Sequence, residues 1–156
     1  LRLATTVLSL LIAATSVGAA DVPPNKAGAH WPALDAYAGK VVLLDFWASW
    51  CAPCRQSFPW MNGLQQEHED EGLVIVAVNL DQDRELAEAF LAQRPARFRI
   101  EYDAPGNIAR EFGVQAMPTS FLIDRQGRVR ARHAGFRDKQ REERERQIDQ
   151  LLKETS

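Results

Sequence analysis

Two stretches of this chain leave little freedom in how it folds. Val41-Val42-Leu43-Leu44-Asp45-Phe46-Trp47 and Leu73-Val74-Ile75-Val76-Ala77-Val78-Asn79-Leu80 are nearly continuous apolar runs. Neither alternates polar with apolar residues, as a strand with one wet face does. Short runs of this kind, rich in β-branched residues, are expected of strands covered on both faces. Between them, Pro53 to about Glu69 carries apolar residues at helical spacing, with Phe58, Met61 and Leu64 on one side. Pro59 lies inside that stretch and is expected to kink it; Gly72 ends it. Strand, helix and strand in this order begin a sheet with helices packed on its faces.

The remaining elements extend the pattern. Asp83 to Gln93 reads as a helix stopped by Pro95, and Phe98 to Tyr102 as a short strand. Pro105 to Phe112 reads as a short helix closed by Gly113. Thr119 to Asp124 is a strand, Arg125-Gln126-Gly127 a hairpin turn, and Arg128 to Ala134 the returning strand. Arg137 to Lys153 is a last helix docked mainly by Ile148, Leu151 and Leu152, its highly charged first half forming a solvated face. Before the first strand, residues 21–38 hold Pro23, Pro24 and Pro32 and read as an irregular lead-in with a helical turn near Leu34. The expected fold class is α/β: a central mixed sheet flanked by helices, with residues 21–156 forming one domain.

Residues 1–20 differ from the rest. Arg2 is followed by an apolar run through Ala14 and then by small residues to Gly18-Ala19-Ala20. This is the pattern of a secretory signal peptide, expected to end before Asp21, and it is preferred to an uncleaved anchor because the run is short and interrupted by Thr and Ser. The expected location is therefore periplasmic or otherwise extracytoplasmic. The formal net charge of the 156 residues is -2, so no nucleic-acid partner is expected. Oligomeric state is not legible.

Export changes how the cysteines are read. There are two, Cys51 and Cys54. A structural disulfide framework uses more cysteines at wider spacing, and a bond closing so small a loop constrains the unfolded chain least. The pair stands where the first apolar run gives way to the first helix. There the two side chains share one face of the first turn, at a separation compatible with a disulfide. Free N–H groups at the helix N-terminus favour an anion, which assigns Cys51 as the thiolate nucleophile and Cys54 as the residue that resolves the mixed disulfide. A zinc site of structural type needs four ligands; a second cysteine pair is absent, and His30, His68 and His133 are scattered. No metal and no cofactor are expected.

Asp45 stands out separately. A carboxylate inside an apolar strand is costly, and desolvation should raise its pKa. An acid that holds a proton near neutral pH suits proton exchange with Cys54.

The segment Val42-Leu43-Leu44-Asp45-Phe46-Trp47-Ala48-Ser49-Trp50-Cys51-Ala52-Pro53-Cys54-Arg55, with Gly113-Val114-Gln115-Ala116-Met117-Pro118-Thr119 later in the chain, resembles the thioredoxin superfamily. Phe58-Pro59, the Gly72-to-Leu80 strand, Pro118-Thr119-Ser120-Phe121-Leu122-Ile123-Asp124 and the mid-chain helix and strand resemble its exported TlpA/ResA-like branch, over about Gly39 to Leu152. The resemblance implies a thioredoxin-like fold with a mid-domain helix–strand insertion. It implies a cis bond between Met117 and Pro118, with Pro118 binding substrate beside the attacking sulfur and Met117 tuning the site. It places Asp45 where thioredoxins have their buried acid, and Trp50 where a tryptophan beside the active site meets protein substrates. The implied activity is thiol–disulfide exchange on protein disulfides, in the reducing direction, fed by a membrane thiol electron donor. The settings are cytochrome c maturation, copper-site preparation or thiol repair. Ala52-Pro53 favours a reductant; the alternatives are a dithiol oxidase or isomerase, and a copper chaperone using Cys51, Cys54 and Met117 as soft ligands. A peroxidase is disfavoured because Ala48 stands where a Thr is expected. The chain departs from the ResA-like pattern in having Asp at position 45, where Asn is frequent, and Ser57 where Glu is frequent three residues after the second cysteine.

Overall fold

The computed structural model describes residues 29 and 31–154. The expected signal peptide, its cleavage point, most of the Pro-rich lead-in and His30 lie outside the described residues. Pro32–Tyr37 forms a 3-10 turn, around the position expected from Leu34. Nine elements follow: β1 (Val41–Trp47), α1 (Ala52–His68), β2 (Leu73–Asn79), α2 (Arg84–Gln93), β3 (Arg99–Tyr102), α3 (Asn107–Glu111), β4 (Thr119–Ile123), β5 (Val129–Ala134) and α4 (Arg141–Lys153).

The strands form one mixed sheet in the order β3-β2-β1-β4-β5. β1, β2 and β3 run parallel, whereas β4 is antiparallel to β1 and to β5. β1 lies at the centre and every one of its residues is buried, which is why it reads as a continuous apolar run. Its two faces belong to two cores. Val41, Leu43 and Trp47 point into a cluster built with Phe58, Met61 and Leu64 of α1, Phe90 of α2, and Ile148, Leu151 and Leu152 of α4. Val42, Leu44 and Phe46 point the other way, against Phe112, Phe121 and the Trp31–Tyr37 turn. Strand alternation puts Asp45 on the first face, between Leu43 and Trp47.

Local chemistry explains most boundaries. α1 starts on Cys51 as its N-cap, and Pro53 sits in its first turn, where a missing N–H is no loss. The helix continues through Pro59, whose ring lies on the exposed side. Gly72 has φ +96°, and a Cβ there would stand 3.1 Å from an Arg125 guanidinium nitrogen. The positive φ favours glycine here, and any side chain would in addition crowd the Arg125 guanidinium. Asp83 caps α2 by accepting from the Glu85 N–H. Buried Asp103 accepts from the N–H groups of Asn107 and Ala109 at the start of α3. The last helix departs from expectation: its first residues form a 3-10 turn over Asp138–Gln140 before α4 proper begins. The charged half is also not wholly solvated, because Arg144 is only 5% exposed.

Candidate active site

The site is assembled at the carboxyl ends of β1 and β2. After Trp47 the chain turns through Ala48-Ser49-Trp50, and the Cys51 N–H donates to the Ala48 carbonyl at 3.1 Å. Asp81, just past β2 and buried, holds this turn. One of its oxygens accepts from the Ser49 N–H and the other from the Ser49 hydroxyl, each at 2.9 Å. Asn79 donates its amide to Asp81 at 2.7 Å and accepts the Asp81 N–H at 3.1 Å. The loop carrying Trp50 and Cys51 is thereby tied to the neighbouring strand.

Cys51 and Cys54 are disulfide-bonded, with Cα atoms 5.3 Å apart. As the helix N-cap, the Cys51 sulfur accepts from the Cys54 N–H at 3.3 Å, where helix dipole and free amides favour negative charge on sulfur. Cys51 retains 4% exposure and Cys54 none. Arg55 is exposed. Ser57, standing where ResA-like chains often carry Glu, turns its hydroxyl back to the Cys54 carbonyl at 3.0 Å.

The second sequence segment arrives beside the first. The Met117–Pro118 bond is cis. Thr119 is paired with Phe46, so Pro118 stands level with the end of β1, from which the cysteine turn departs. Met117 is half-buried and packs against the cluster that contains both cysteines. The Thr119 hydroxyl donates to the Ala116 carbonyl at 2.7 Å, and the Gly135 N–H to the Pro118 carbonyl at the same distance. Trp50 is 66% exposed, an apolar plate beside the disulfide. Trp47, by contrast, is fully buried against Phe58 and Phe90. Trp60 is buried against Phe136 and donates its indole N–H to Glu145 of α4 at 2.6 Å.

Asp45 is 4% exposed, and its Oδ2 has no hydrogen-bond partner. Burial pushes its pKa from 3.8 up to about 8, with the Arg144 guanidinium pulling the other way. Arg144 escaped sequence reasoning. A signal was present: Arg144, Ile148, Leu151 and Leu152 fall at helical spacing on one face, so Arg144 belongs to the docking face and not to the solvated one. Asp81 was missed too, although Asn79 and Asp81 are polar residues closing an apolar strand. Among the described residues no three His, Cys, Asp or Glu side chains gather as a metal site, and no helix is long and apolar enough to cross a membrane.

Comparison with known proteins agrees with this geometry. The model describing the Redoxin family matches residues 32–152. The thiol-disulfide oxidoreductase ResA of Bacillus thuringiensis subsp. konkukian is 38% identical over 93 residues, covering 60% of this chain and 54% of the relative. The chain thus spans about half the length of the curated relatives it matches. A crystal structure of a protein assigned as thiol:disulfide interchange protein DsbE, from Chlorobium tepidum, is 53% identical with a TM-score of 0.75, covering 76% of this chain and 84% of that one. The crystal structure of StoA from Bacillus subtilis is 28% identical with a TM-score of 0.59, covering 67% of this chain and 81% of that one. With a CxxC disulfide at the N-cap of α1, a cis-proline loop level with it and a mixed five-stranded sheet beneath, the chain belongs to the Redoxin family, in the TlpA/ResA-like branch of the thioredoxin superfamily.

Proposed function

We propose that this protein is an exported dithiol reductant acting on disulfides of extracytoplasmic proteins. The observation that carries the reading is a disulfide-bonded cysteine pair at a helix N-cap, with a buried acid whose pKa is raised by burial on the sheet face that packs toward the cluster holding both cysteines. In the reduced protein the Cys51 thiolate attacks a substrate disulfide. One substrate sulfur leaves as a thiolate, and the other stays joined to Cys51. Asp45 then accepts the proton of the Cys54 thiol, and the Cys54 thiolate attacks the Cys51 sulfur. The second substrate thiolate departs and the Cys51–Cys54 disulfide forms, so two electrons pass to the substrate. Trp50 and Met117 provide apolar surface for the substrate chain, and the cis loop at Pro118 presents backbone beside the attacking sulfur. Export is supported by the pattern of residues 1–20. A membrane thiol carrier that returns the electrons is what the family resemblance implies.

The reduction potential of the Cys51–Cys54 couple tests the direction. The protein would be equilibrated in graded dithiol/disulfide buffers with tryptophan fluorescence as reporter. A value near or below about −270 mV supports a reductant; one near about −120 mV makes the protein an oxidase or isomerase. Cys54→Ser should accumulate mixed disulfides through Cys51 with exported proteins. Absence of such adducts, together with tight copper binding by the reduced wild type, would turn the reading to a copper-binding module.

A further inference from the structure

α4 brings a charge to a place where charge is expensive. Arg144 is 5% exposed, stacked on Phe136 with its guanidinium carbon 5.5 Å from the ring centroid. One terminal nitrogen donates to the Gly135 carbonyl at 2.6 Å and reaches Gln140 at 3.5 Å. Its Nε has no partner, and the buried Asp45 Oδ2 has none either. The two groups form no direct ion pair, yet each is within the other's field. The guanidinium is thus anchored to backbone, fixed in position and unneutralised.

A polar row crosses the sheet under this helix. Asp45 pairs with Ser120, and Ser120 pairs with His133, so the three side chains share one face. His133 contacts Gln147 of α4 at 2.9 Å. Among charged or titratable groups, Arg144 of α4 acts on Asp45 and His133 of β5 shares its face of the sheet, while the N-cap Cys51 and Cys54 of α1 belong to the core cluster that packs on that face. Glu145 of α4 is occupied by Trp60, and Glu143 lies toward His133. Arg144 is the fixed cation of this set.

We propose that Arg144 is a positioning residue for the redox site, a buried cation that keeps part of Asp45 in the carboxylate form able to accept the Cys54 proton. The proposal rests on the proton-transfer reading of Asp45. Loss of the cation would leave burial acting alone on the acid, and less carboxylate would be available at neutral pH. The same cation also disfavours a proton on His133, whose pKa is lowered by burial and then by Arg144.

The sign of one shift separates this role from simple packing. In Arg144→Met the carboxyl 13C midpoint of Asp45 and the imidazole midpoint of His133, measured by NMR on the oxidised protein, should both move upward. If Arg144 only fills space, its loss admits water and the Asp45 midpoint falls; a fall, or no movement, overturns the proposal. Arg144→Lys should bring the Asp45 midpoint back toward wild type; if the Met variant does not fold, Arg144→Gln, which removes the charge but keeps a polar end for the Gly135 carbonyl, is measured in its place with the same upward shift expected. Resolution of a Cys51 mixed disulfide should slow about three- to tenfold at pH 7 in Arg144→Met, with its pH inflection moved alkaline. In an Asp45→Asn background the same substitution should add no further slowing. If Asp45→Asn by itself leaves resolution unchanged, the proton-transfer reading fails, whereas the Asp45 midpoint in Arg144→Met still decides whether the cation acts on the acid.

Discussion

At the scale of single residues, the site separates what is exposed from what is not. Cys51 keeps a small exposed edge while Cys54, one turn further into α1, has none. In the proposed mechanism the nucleophile meets another protein, whereas the resolving thiol exchanges its proton with a group inside. Asp45→Asn should therefore leave the first attack by Cys51 nearly unchanged and slow resolution by about 100-fold. It should also erase the inflection near pH 8 that Asp45 imposes, as measured by stopped-flow fluorescence across pH. A variant that slows both steps equally would point to a fold defect and not to proton transfer. The two cysteines and Asp45 stand out in the sequence because each is an anomaly against its local background, cysteines three apart and an acid in an apolar strand, whereas Pro118 is singled out only by the family resemblance. Arg144 was less legible because it is one charge among many in a charged run.

At the scale of elements, the ends of β1, β2 and α4 are held together by one side chain. Arg125 donates to the Gly39 carbonyl at 2.8 Å, to Leu152 at 3.0 Å and to Glu71 at 3.2 Å. These carbonyls precede β1 and β2 and close α4, so a residue of the hairpin turn ties three elements far apart in sequence. Arg125→Met should lower stability by about 1–3 kcal/mol, read as a lower urea midpoint with an unchanged slope. Since the tie lies at the opposite end of β1 from the cysteines, the reduction potential should stay at its wild-type value. The element boundaries themselves were close to expectation, because caps and apolar periodicity are local. The start of α4 was not, since its 3-10 entry accompanies the tertiary docking of Arg144 beneath Gly135 and Phe136.

For the whole molecule, the displaced acids and bases shape how stability depends on pH. Asp45 holds its proton in the folded protein up to about 8, whereas the unfolded chain releases it near 3.8. Stability from this group is complete below 3.8 and is lost as pH rises through 8. His133 has a depressed pKa, so the unfolded chain gains its proton first and stability declines as pH drops below 6.5. Asp124 is buried, but hydrogen bonds from Arg128 and Arg130 outweigh the burial and lower its pKa; its contribution is lost on acidification below 3.8. Between pH 6.5 and about 8, Asp45 is the displaced group that titrates. The disulfide form should lose about 2 kcal/mol across that interval. Chemical denaturation at stepped pH checks this, and in Asp45→Asn the decline should vanish.

The chain by itself determined its strands, its helices and the location of its redox pair. Those features follow from periodicity, caps and the strand-to-helix junction, which act over a few residues. Only the tertiary structure decided which distant groups share a field. It set Arg144 over the core near Asp45, aligned Asp45 with Ser120 and His133 across three strands, and fastened the Trp50–Cys51 turn to Asp81. Such contacts depend on strand register and helix docking, so their energies exist only after the sheet is assembled.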